Sequence, residues 1–387
     1  MKIQTHILFI SSWYPNRQNP THGIFNAYMA KAAALYNKVS VIHVCSAPNA
    51  TQIFEVVEST NDGIFNITVY YKKIENNIPL LSQWLKMQRL KKAYDLAYQR
   101  LLQSQGKVQL IQLNVAMPAG IGVMVLHQKY GIPYVLNENW SGYTSEDGNY
   151  KGFFLTHFTK KIVAGAKKIM PTSAYLKTAM LQHGLNGNYE VVPNVVDEKK
   201  FVPGTAQHSD KIRFLHVSSL IEREKNVSGI LRAFKNALNT ILNLELTIIG
   251  EGENKVELKA LCDYLEITAH VNFKGRVVGE ELIRNMQNCD ALVMFSHYET
   301  FCLVNIEAFA CGKPVITSNA GAIPGYMNEQ LGIMVKVNDE KALCDAMVRF
   351  AKAPKNYDAT YIRNFAMQFS YGTVGKQLDE IYQKALK

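Results

Sequence analysis

Two glutamates eight residues apart, Glu299 and Glu307, carry the most chemical information in this 387-residue chain. They lie in Ser296-His297-Tyr298-Glu299-Thr300-Phe301-Cys302-Leu303-Val304-Asn305-Ile306-Glu307-Ala308-Phe309-Ala310-Cys311-Gly312-Lys313-Pro314. The segment follows the apolar run Ala291–Phe295 and closes on Gly-Lys-Pro, a helix stop that leads into another strand. It therefore reads as strand, loop and helix, with Ser296–Phe301 as a loop on the carboxyl edge of a sheet. The backbone amides of Phe301, Cys302 and Leu303 at the helix start lack intrahelical partners, and with the helix dipole behind them they suit a diphosphate. Glu299 sits just before that start and Glu307 about one and a half turns inside it. Both can border one small ligand, Glu299 accepting from sugar hydroxyls and Glu307 from those of a ribose. The plainer alternative is that Glu307 is a solvated carboxylate on a helix surface.

Other chemistries find no foothold. Gly120-Ile121-Gly122 and Gly250-Glu251-Gly252 both lack the third glycine of a dinucleotide fingerprint, which disfavours nicotinamide chemistry. Gly312-Lys313-Pro314 has proline where a phosphate loop needs Ser or Thr, so ATP hydrolysis of that class is excluded. There is no His-Glu-x-x-His and no Gly-x-Ser-x-Gly, so zinc proteolysis and serine hydrolysis have no handle. Six cysteines (Cys45, Cys262, Cys289, Cys302, Cys311, Cys344) are scattered with no Cys-x-x-Cys pair. That argues against a disulfide framework or structural zinc, and the thiols read as buried.

The elements that must position the glutamates follow from alternation. With 48% hydrophobic and 19% charged residues the chain can bury a large core, and its length favours two domains. Apolar runs at Ile7–Ile10, Val39–Val44 and Leu110–Leu113 alternate with helical patterns at Phe25–Tyr36 and Ile121–Tyr130, with a hairpin from Phe54 to Tyr71. After the turn formers Pro193-Asn194 and Pro203-Gly204 the pattern restarts, with strands at Phe214–Val217, Leu244–Ile249, Val271–Phe273, Ala291–Phe295 and Pro314–Thr317. Helical patterns at Ser228–Leu238, Val256–Tyr264 and Val304–Cys311 separate them. Strand and helix alternation of this kind means parallel sheets with crossover helices, with ligands at the carboxyl ends of strands. The longest apolar runs span about six residues, far short of the roughly 18 that a spanning helix needs. The first strand pattern is too short for a signal-peptide core, so a cytoplasmic protein is expected.

The net charge of +10 is uneven: residues 1–200 hold 21 Lys+Arg against 11 Asp+Glu, and residues 201–387 hold 21 of each. The first half carries the whole excess, which suits an acidic partner such as anionic lipid, nucleic acid or a phosphate-bearing substrate. It concentrates around Trp84–Tyr94, where Trp84, Leu85, Leu90, Tyr94, Tyr98 and Leu101 recur at helical spacing. Such a helix either lies flat on an anionic membrane or packs on the core with solvated lysines.

The segment from Ser296 to Val315 closely resembles the Glu, seven residues, Glu signature of the retaining glycosyltransferases of family 4, and the likeness covers nearly the whole chain. Ser12-Trp13-Tyr14-Pro15 with Pro20 and Gly23-Ile24-Phe25 looks like the family's first-strand loop, which faces the donor. Pro193-Asn194 with Asp197 and Phe201 is similar to its interdomain stretch, with Val195 in place of a glycine. Gly250-Glu251-Gly252 and Phe273-Lys274-Gly275-Arg276-Val277 fall where the donor domain contacts nucleotide. Phe369-Ser370-Tyr371 and the last helix look like the segment that crosses back onto the first domain.

The resemblance implies an α/β protein of GT-B fold, two facing Rossmann-like domains with a deep interdomain cleft. Residues 1–195 would bind acceptor, joined by a returning helix at about 371–387, and residues 205–370 would bind a UDP- or GDP-linked sugar. No cofactor or metal is needed, since the nucleotide-diphosphate sugar is itself the co-substrate. Lys225 takes the place of the family's phosphate-neutralising lysine, and Ser218-Ser219-Leu220 stands where Gly-Arg-Leu is usual, so Arg223 or a neighbour must substitute for the arginine. In Glu138-Asn139-Trp140-Ser141-Gly142, Asn139 replaces the usual histidine; it has no acid–base function but can hydrogen-bond a sugar. Gly321-Ala322-Ile323-Pro324-Gly325 also departs at Ala322 and Gly325. The implied catalytic set is Glu299, Lys225 and Asn139, and the implied donor set adds Gly23, Arg223, Gly250, Arg276, Phe301, Cys302, Leu303 and Glu307.

The expected function is retaining transfer of a sugar to a hydroxyl of a glycan or lipid-linked glycan in surface polysaccharide synthesis, with peripheral contact at the inner membrane face. The rivals are an inactive sugar-nucleotide binder, prompted by Asn139 and Ser219, and a sugar-nucleotide epimerase or phosphorylase of the same fold. A nucleic-acid binder is disfavoured, because no recognised module interleaves with the basic residues.

Overall fold

The computed structural model describes residues 4–48, 51–73, 79–205 and 210–387. The chain divides into two compact units, one formed by Met1–Val195 with Tyr371–Lys387, the other by Val196–Ser370. Residues 196–204, at the sequence's expected connection, belong to the second unit. The Val196 amide donates to the Phe369 carbonyl at 3.0 Å, and Val196 and Phe201 are both buried in that unit's core.

In the first unit the elements run β1 (His6–Ser11), α1 (Ile24–Ala34), β2 (Lys38–Ala47), β3 (Phe54–Asn61), β4 (Ile64–Lys72), α2 (Pro79–Gln105), β5 (Leu110–Asn114), α3 (Gly120–Tyr130), β6 (Tyr134–Glu138), α4 (Phe153–Gly165), β7 (Ile169–Pro171) and α5 (Ala174–Gln182). Its sheet has the order β3-β4-β2-β1-β5-β6-β7. Only β3 is antiparallel, turning onto β4 through Asp62-Gly63, both at positive φ as a tight hairpin requires. The central strands are buried and largely apolar because helices cover both faces: Ile7, Leu8, Phe9 and Ile10 are fully buried. On one face α2, α3 and α4 pack in that order. The helix predicted around Trp84–Leu101 is real but divided in role. Leu90, Tyr94, Tyr98 and Leu101 are in the core, so this apolar face is not available to lie on a membrane, whereas Trp84 is exposed.

The second unit continues with β8 (Ile212–Val217), α6 (Glu222–Lys225), α7 (Val227–Leu238), β9 (Leu244–Ile249), α8 (Lys255–Tyr264), β10 (Val271–Gly275), α9 (Glu280–Asn288), β11 (Ala291–Met294), α10 (Leu303–Ala310), β12 (Val315–Ser318), β13 (Gly332–Val335), α11 (Glu340–Lys352) and α12 (Ala359–Ala366). Its sheet is wholly parallel, in the order β10-β9-β8-β11-β12-β13. The strand order reverses between β8 and β11, which opens a crevice at their carboxyl ends. The loops after both strands meet there. Among the described residues no helix is long and apolar enough to cross a membrane.

The last helix, α13 (Tyr371–Ala385), returns to the first unit and packs against α1. Val374, Leu378, Ile381 and Tyr382 join a core with Met29, Ala32, Ala33 and Leu110, and the Tyr382 hydroxyl reaches the Gln112 side chain inside it. Ile381 is fully buried, so Ile381→Ala is expected to cost about 2–5 kcal/mol. That corresponds to a melting point lower by roughly 5 °C or more for a unit of this size. A thermal melt showing a fall of less than about 2 °C would mean that α13 is not part of the first unit's core.

Candidate functional site

The sequence of the crevice in the second unit explains why its loops hold still. After β8 the chain turns at Ser218–Ile221 into the single turn of α6, and Asn226, at φ 49°, both ends that turn and caps α7 by accepting from the Gly229 amide at 3.2 Å. Glu222 accepts from the Val227 and Ser228 amides at 2.8 and 3.1 Å. Gly250 is required where it stands: its φ is +153°, and a Cβ there would lie 1.9 Å from the Ser218 carbonyl oxygen. These contacts fix the turn that carries Arg223 and Lys225.

Lys225 meets Glu299 directly. Its Nζ donates to Glu299 Oε1 at 2.8 Å, and the Ser296 hydroxyl donates to the same oxygen at 2.9 Å. Ser296 is held in turn by the Ser318 hydroxyl, which donates to its carbonyl at 2.7 Å, and the Ala322 amide donates to the Glu299 carbonyl at 2.9 Å. Both partners of the ion pair are largely out of water, their side chains 17% and 10% exposed. Burial works against the lysine's charge, but the Glu299 carboxylate more than offsets it and holds Lys225 above the ordinary lysine value.

His216, fully buried on β8, has its Nδ1 2.8 Å from the Val293 carbonyl and its Nε2 2.7 Å from the Ser218 hydroxyl. A carbonyl only accepts, so Nδ1 carries the proton and Nε2 accepts from Ser218. Burial pushes the imidazole down to about 4, with Lys225 adding to the effect against the Val293 carbonyl, so it is neutral at pH 7.

The structure places the expected donor residues as follows. Phe301 and Cys302 are buried at the start of α10, and Cys302 takes φ +68° at the position that opens the helix, so the amides of the first turn follow directly on the Glu299 loop. Glu307 is 8% exposed, which overturns the reading of a solvated surface carboxylate. Burial pushes it up to about 8. Gly250 and Arg276 follow β9 and β10 on the same edge, joined where the Gly250 amide donates to the Gly275 carbonyl at 2.8 Å, and Arg276 is exposed. Arg223 is mostly exposed and ion-paired with Glu224 at 3.7 Å.

Gly23 and Asn139 belong to the first unit. Gly23, at φ +64°, opens α1 so close to Trp13 that a Cβ would lie 2.4 Å from that residue's carbonyl oxygen. Asn139 follows β6, with its Nδ2 donating to Asn137 Oδ1 at 3.0 Å.

Sequence reasoning missed the group that holds Asn139 in place. Glu138 is fully buried and accepts from the Ala116, Asn139 and Trp140 amides at 2.9, 2.9 and 3.0 Å and from the Tyr143 hydroxyl at 3.1 Å. Desolvation outweighs these four bonds and leaves its carboxyl above the ordinary value. The only signal was a charged residue ending an apolar strand. Ser296 was visible in the motif, but its bond to Glu299 was not.

This arrangement can hold a diphosphate between a cationic turn and a helix start, with a carboxylate beside it. Residues 197–365 match the family model described as glycosyl transferases group 1. That match takes in most of the second unit. The chain is 27% identical over 278 residues to an uncharacterized glycosyltransferase of Methanocaldococcus jannaschii, covering 69% of this chain and 74% of that protein. It is 23% identical to a GDP-mannose-dependent monoacylated alpha-(1-6)-phosphatidylinositol monomannoside mannosyltransferase of Corynebacterium glutamicum, over 52% of this chain and 57% of that one. The chain thus spans little more than half the length of the second relative. Among solved structures, Anabaena HepE in complex with UDP and glucose matches with a TM-score of 0.76 at 16% identity, over 98% of this chain and 100% of that one. The fold is GT-B, two Rossmann-like domains, and the residues that match the family model lie in the second.

Glu307 allows a test without substrate. Its carboxyl is raised from 4.5 to about 8 in the fold. The protonated form is therefore the one the fold favours, and its contribution is complete below pH 4.5 and lost as pH rises through 8. Glu307→Gln should gain on the native chain by up to about 1.4 kcal/mol per pH unit across that window. Urea melts at the two ends check this, and parallel curves for the two proteins would place Glu307 in water.

Proposed function

We propose that this chain is a retaining glycosyltransferase of family 4 that moves a sugar from a UDP- or GDP-linked donor to a hydroxyl of a glycan or lipid-linked glycan, in surface polysaccharide synthesis. The observation that carries the reading is the convergence of Lys225 and Ser296 on one oxygen of Glu299, directly before the start of α10. The relatives support the donor class: one is described as GDP-mannose-dependent, and one structural neighbour was solved with UDP and glucose.

In this reading Lys225 and the first amides of α10 hold the diphosphate, with Arg223 standing in for the arginine that Ser219 replaces. Glu307 accepts from ribose hydroxyls, and Gly250 and Arg276 border the nucleotide. The bond from the anomeric carbon to the leaving phosphate oxygen breaks as the bond to the acceptor oxygen forms on the same face. The acceptor's proton passes to the departing phosphate, so no side-chain base is needed and Asn139 serves as a hydrogen-bonding contact. Glu299 positions the donor sugar and stabilises positive charge developing at its anomeric carbon, which is electrostatic stabilisation by groups already in place. Positive charge for the leaving group comes from side chains and backbone, and the proposal includes no metal and no cofactor. Activity should therefore be indifferent to chelators.

Ser219 and Asn139 favour one second reading, a domain that binds sugar nucleotide without transferring it. One experiment separates the two. A saturating nucleoside diphosphate, at about 100 times its dissociation constant, should stabilise the protein by about 2.7 kcal/mol in a thermal melt. Glu299→Ala should keep that shift and lower turnover by about a hundredfold or more. Undiminished turnover in Glu299→Ala would remove the assigned role, and a shift without turnover in the native protein would leave the inactive binder.

A further inference from the structure

His216 is a fully buried imidazole for which the donor reading has no use, and it lies at the floor of the crevice, next to the last residue of β8. Oxygens stand within reach of both its ring nitrogens: the Val293 carbonyl at 2.8 Å from Nδ1 and the Ser218 hydroxyl at 2.7 Å from Nε2. The chain of contacts continues, because the Ser218 hydroxyl is also 2.9 Å from the Ser219 carbonyl. The Ser218 amide donates to the Ile249 carbonyl at 3.0 Å and the Ile221 amide to the Ser219 carbonyl at 2.9 Å, so the backbone around the hydroxyl is fixed. A serine hydroxyl has one proton for two acceptors. With the ring neutral, Ser218 donates to Nε2 and its contact with the Ser219 carbonyl holds no proton. With the ring protonated, Nδ1 donates to Val293, Nε2 donates to Ser218, and Ser218 donates to Ser219. The imidazolium thus makes one hydrogen bond more than the imidazole, with no heavy atom moved.

Burial, with Lys225 adding to it, keeps the ring neutral in the empty crevice and holds it down to about 4. The strands beside β8 bring no ionisable side chain to its level: its partner on β9 is Ile248, and β11 is Ala-Leu-Val-Met. The charges that act on it are Lys225 from α6 and Glu299 from the loop after β11, and they oppose each other. A nucleotide sugar changes that balance. Its diphosphate brings two negative charges to a lysine and a glutamate whose own charges cancel. The start of α10 contributes about half a positive charge, and Arg223 is mostly exposed and already ion-paired with Glu224. His216 is the buried group beside them that can turn positive by taking a proton, and a nearby opposite charge favours that form.

We propose that His216 is a further donor-site residue, which takes up a proton when a nucleotide sugar binds, so that an imidazolium as well as Lys225 balances the diphosphate. The Nε2 lone pair accepts a proton from solvent, and the Ser218 proton turns from Nε2 to the Ser219 carbonyl. The positive charge acts from beneath the diphosphate, through the field rather than by contact, and is in place before the leaving group departs. Because the donor-bound form holds the proton more tightly, donor affinity rises as pH falls, and the gain is lost as pH climbs through the bound form's value. This role rests on the donor reading of the crevice and goes beyond it in coupling donor binding to a proton.

The test uses the full chain with UDP-glucose and GDP-mannose, whose diphosphate diesters lack the ionisation near about pH 6 of a terminal phosphate. Calorimetry at about pH 5.5 in two buffers of different ionisation enthalpy should show more than about half a proton taken up per donor bound. Affinity should be about tenfold higher at about pH 5 than at about pH 7.5. His216→Gln keeps a donor for Val293 and an acceptor for Ser218 but cannot ionise, so it should still bind donor at the higher pH and lose both effects. Glu307 and His297 are common to the two proteins, so the difference between them isolates His216. Ser218→Ala, which removes the acceptor for the protonated ring, should also cut the uptake. In the native protein, which needs no variant, the NMR signal of the His216 ring should move to its imidazolium position when donor is added at the lower pH. Binding without proton uptake, equal uptake in native and His216→Gln, or an unmoved ring signal would overturn the proposal and leave the donor reading standing. Failure of both nucleotide sugars to bind at any pH would remove the donor reading, and the proposal with it.

Discussion

The meeting of a lysine and a hydroxyl on one oxygen of Glu299, almost out of water, is the contact around which the crevice of the second unit is arranged. Burying that carboxylate is costly, and the lysine and hydroxyl that donate to one of its oxygens offset the cost. Each of those partners comes from a different strand end: Lys225 from the turn after β8, Ser296 from the loop after β11. They can meet only because the sheet order reverses between these two strands. The capping of α7 by Asn226 and Glu222 and the close approach of Gly250 to Ser218 keep the turn in reach. An electrostatic need in one side chain and the topology of a six-stranded sheet are thus one constraint seen at two scales.

The first unit meets a similar need by other means. Glu138 also ends a strand beside the central crossing of its sheet, but its partners are backbone amides and a tyrosine, with no lysine or arginine among them. A carboxylate satisfied by amides binds two loops, those after β5 and β6, into one rigid rim. One unit has used a buried acid to present a cation, the other to tie its own backbone. Both acids sit where a parallel sheet gathers its ligand-facing loops.

The parts of this architecture visible in the chain are those with periodicity or fixed spacing. Buried parallel strands are largely apolar runs, so Ile7–Ile10 and Leu244–Ile249 announced themselves, and a hairpin was legible from Phe54 to Tyr71. The stretch from residue 131 to 190 was harder to read, because β6 ends on the buried polar pair Asn137 and Glu138 and β7 is only three residues long. The pairing of Lys225 with Glu299 spans 74 residues and leaves no local trace. The hydrogen bond from Ser218 to His216 is equally silent, since a histidine in an apolar strand looks like any core histidine. The basic helix was recognised as one object. Its division into a buried half and a bare tip depends on where β4 stops, and helical spacing alone does not record that.

The return of α13 to the first unit has a consequence for how the molecule is made. Residues 196–370 are contiguous and hold their own core, so that unit can close while the chain is still emerging from the ribosome. The first unit is completed only after the second: the surface of α1 and its sheet that Leu378, Ile381 and Tyr382 cover stays uncovered until α13 itself has been made. For these two units the order of synthesis and the order of completion are therefore inverted, and the nascent first unit carries an open apolar face while the second is made.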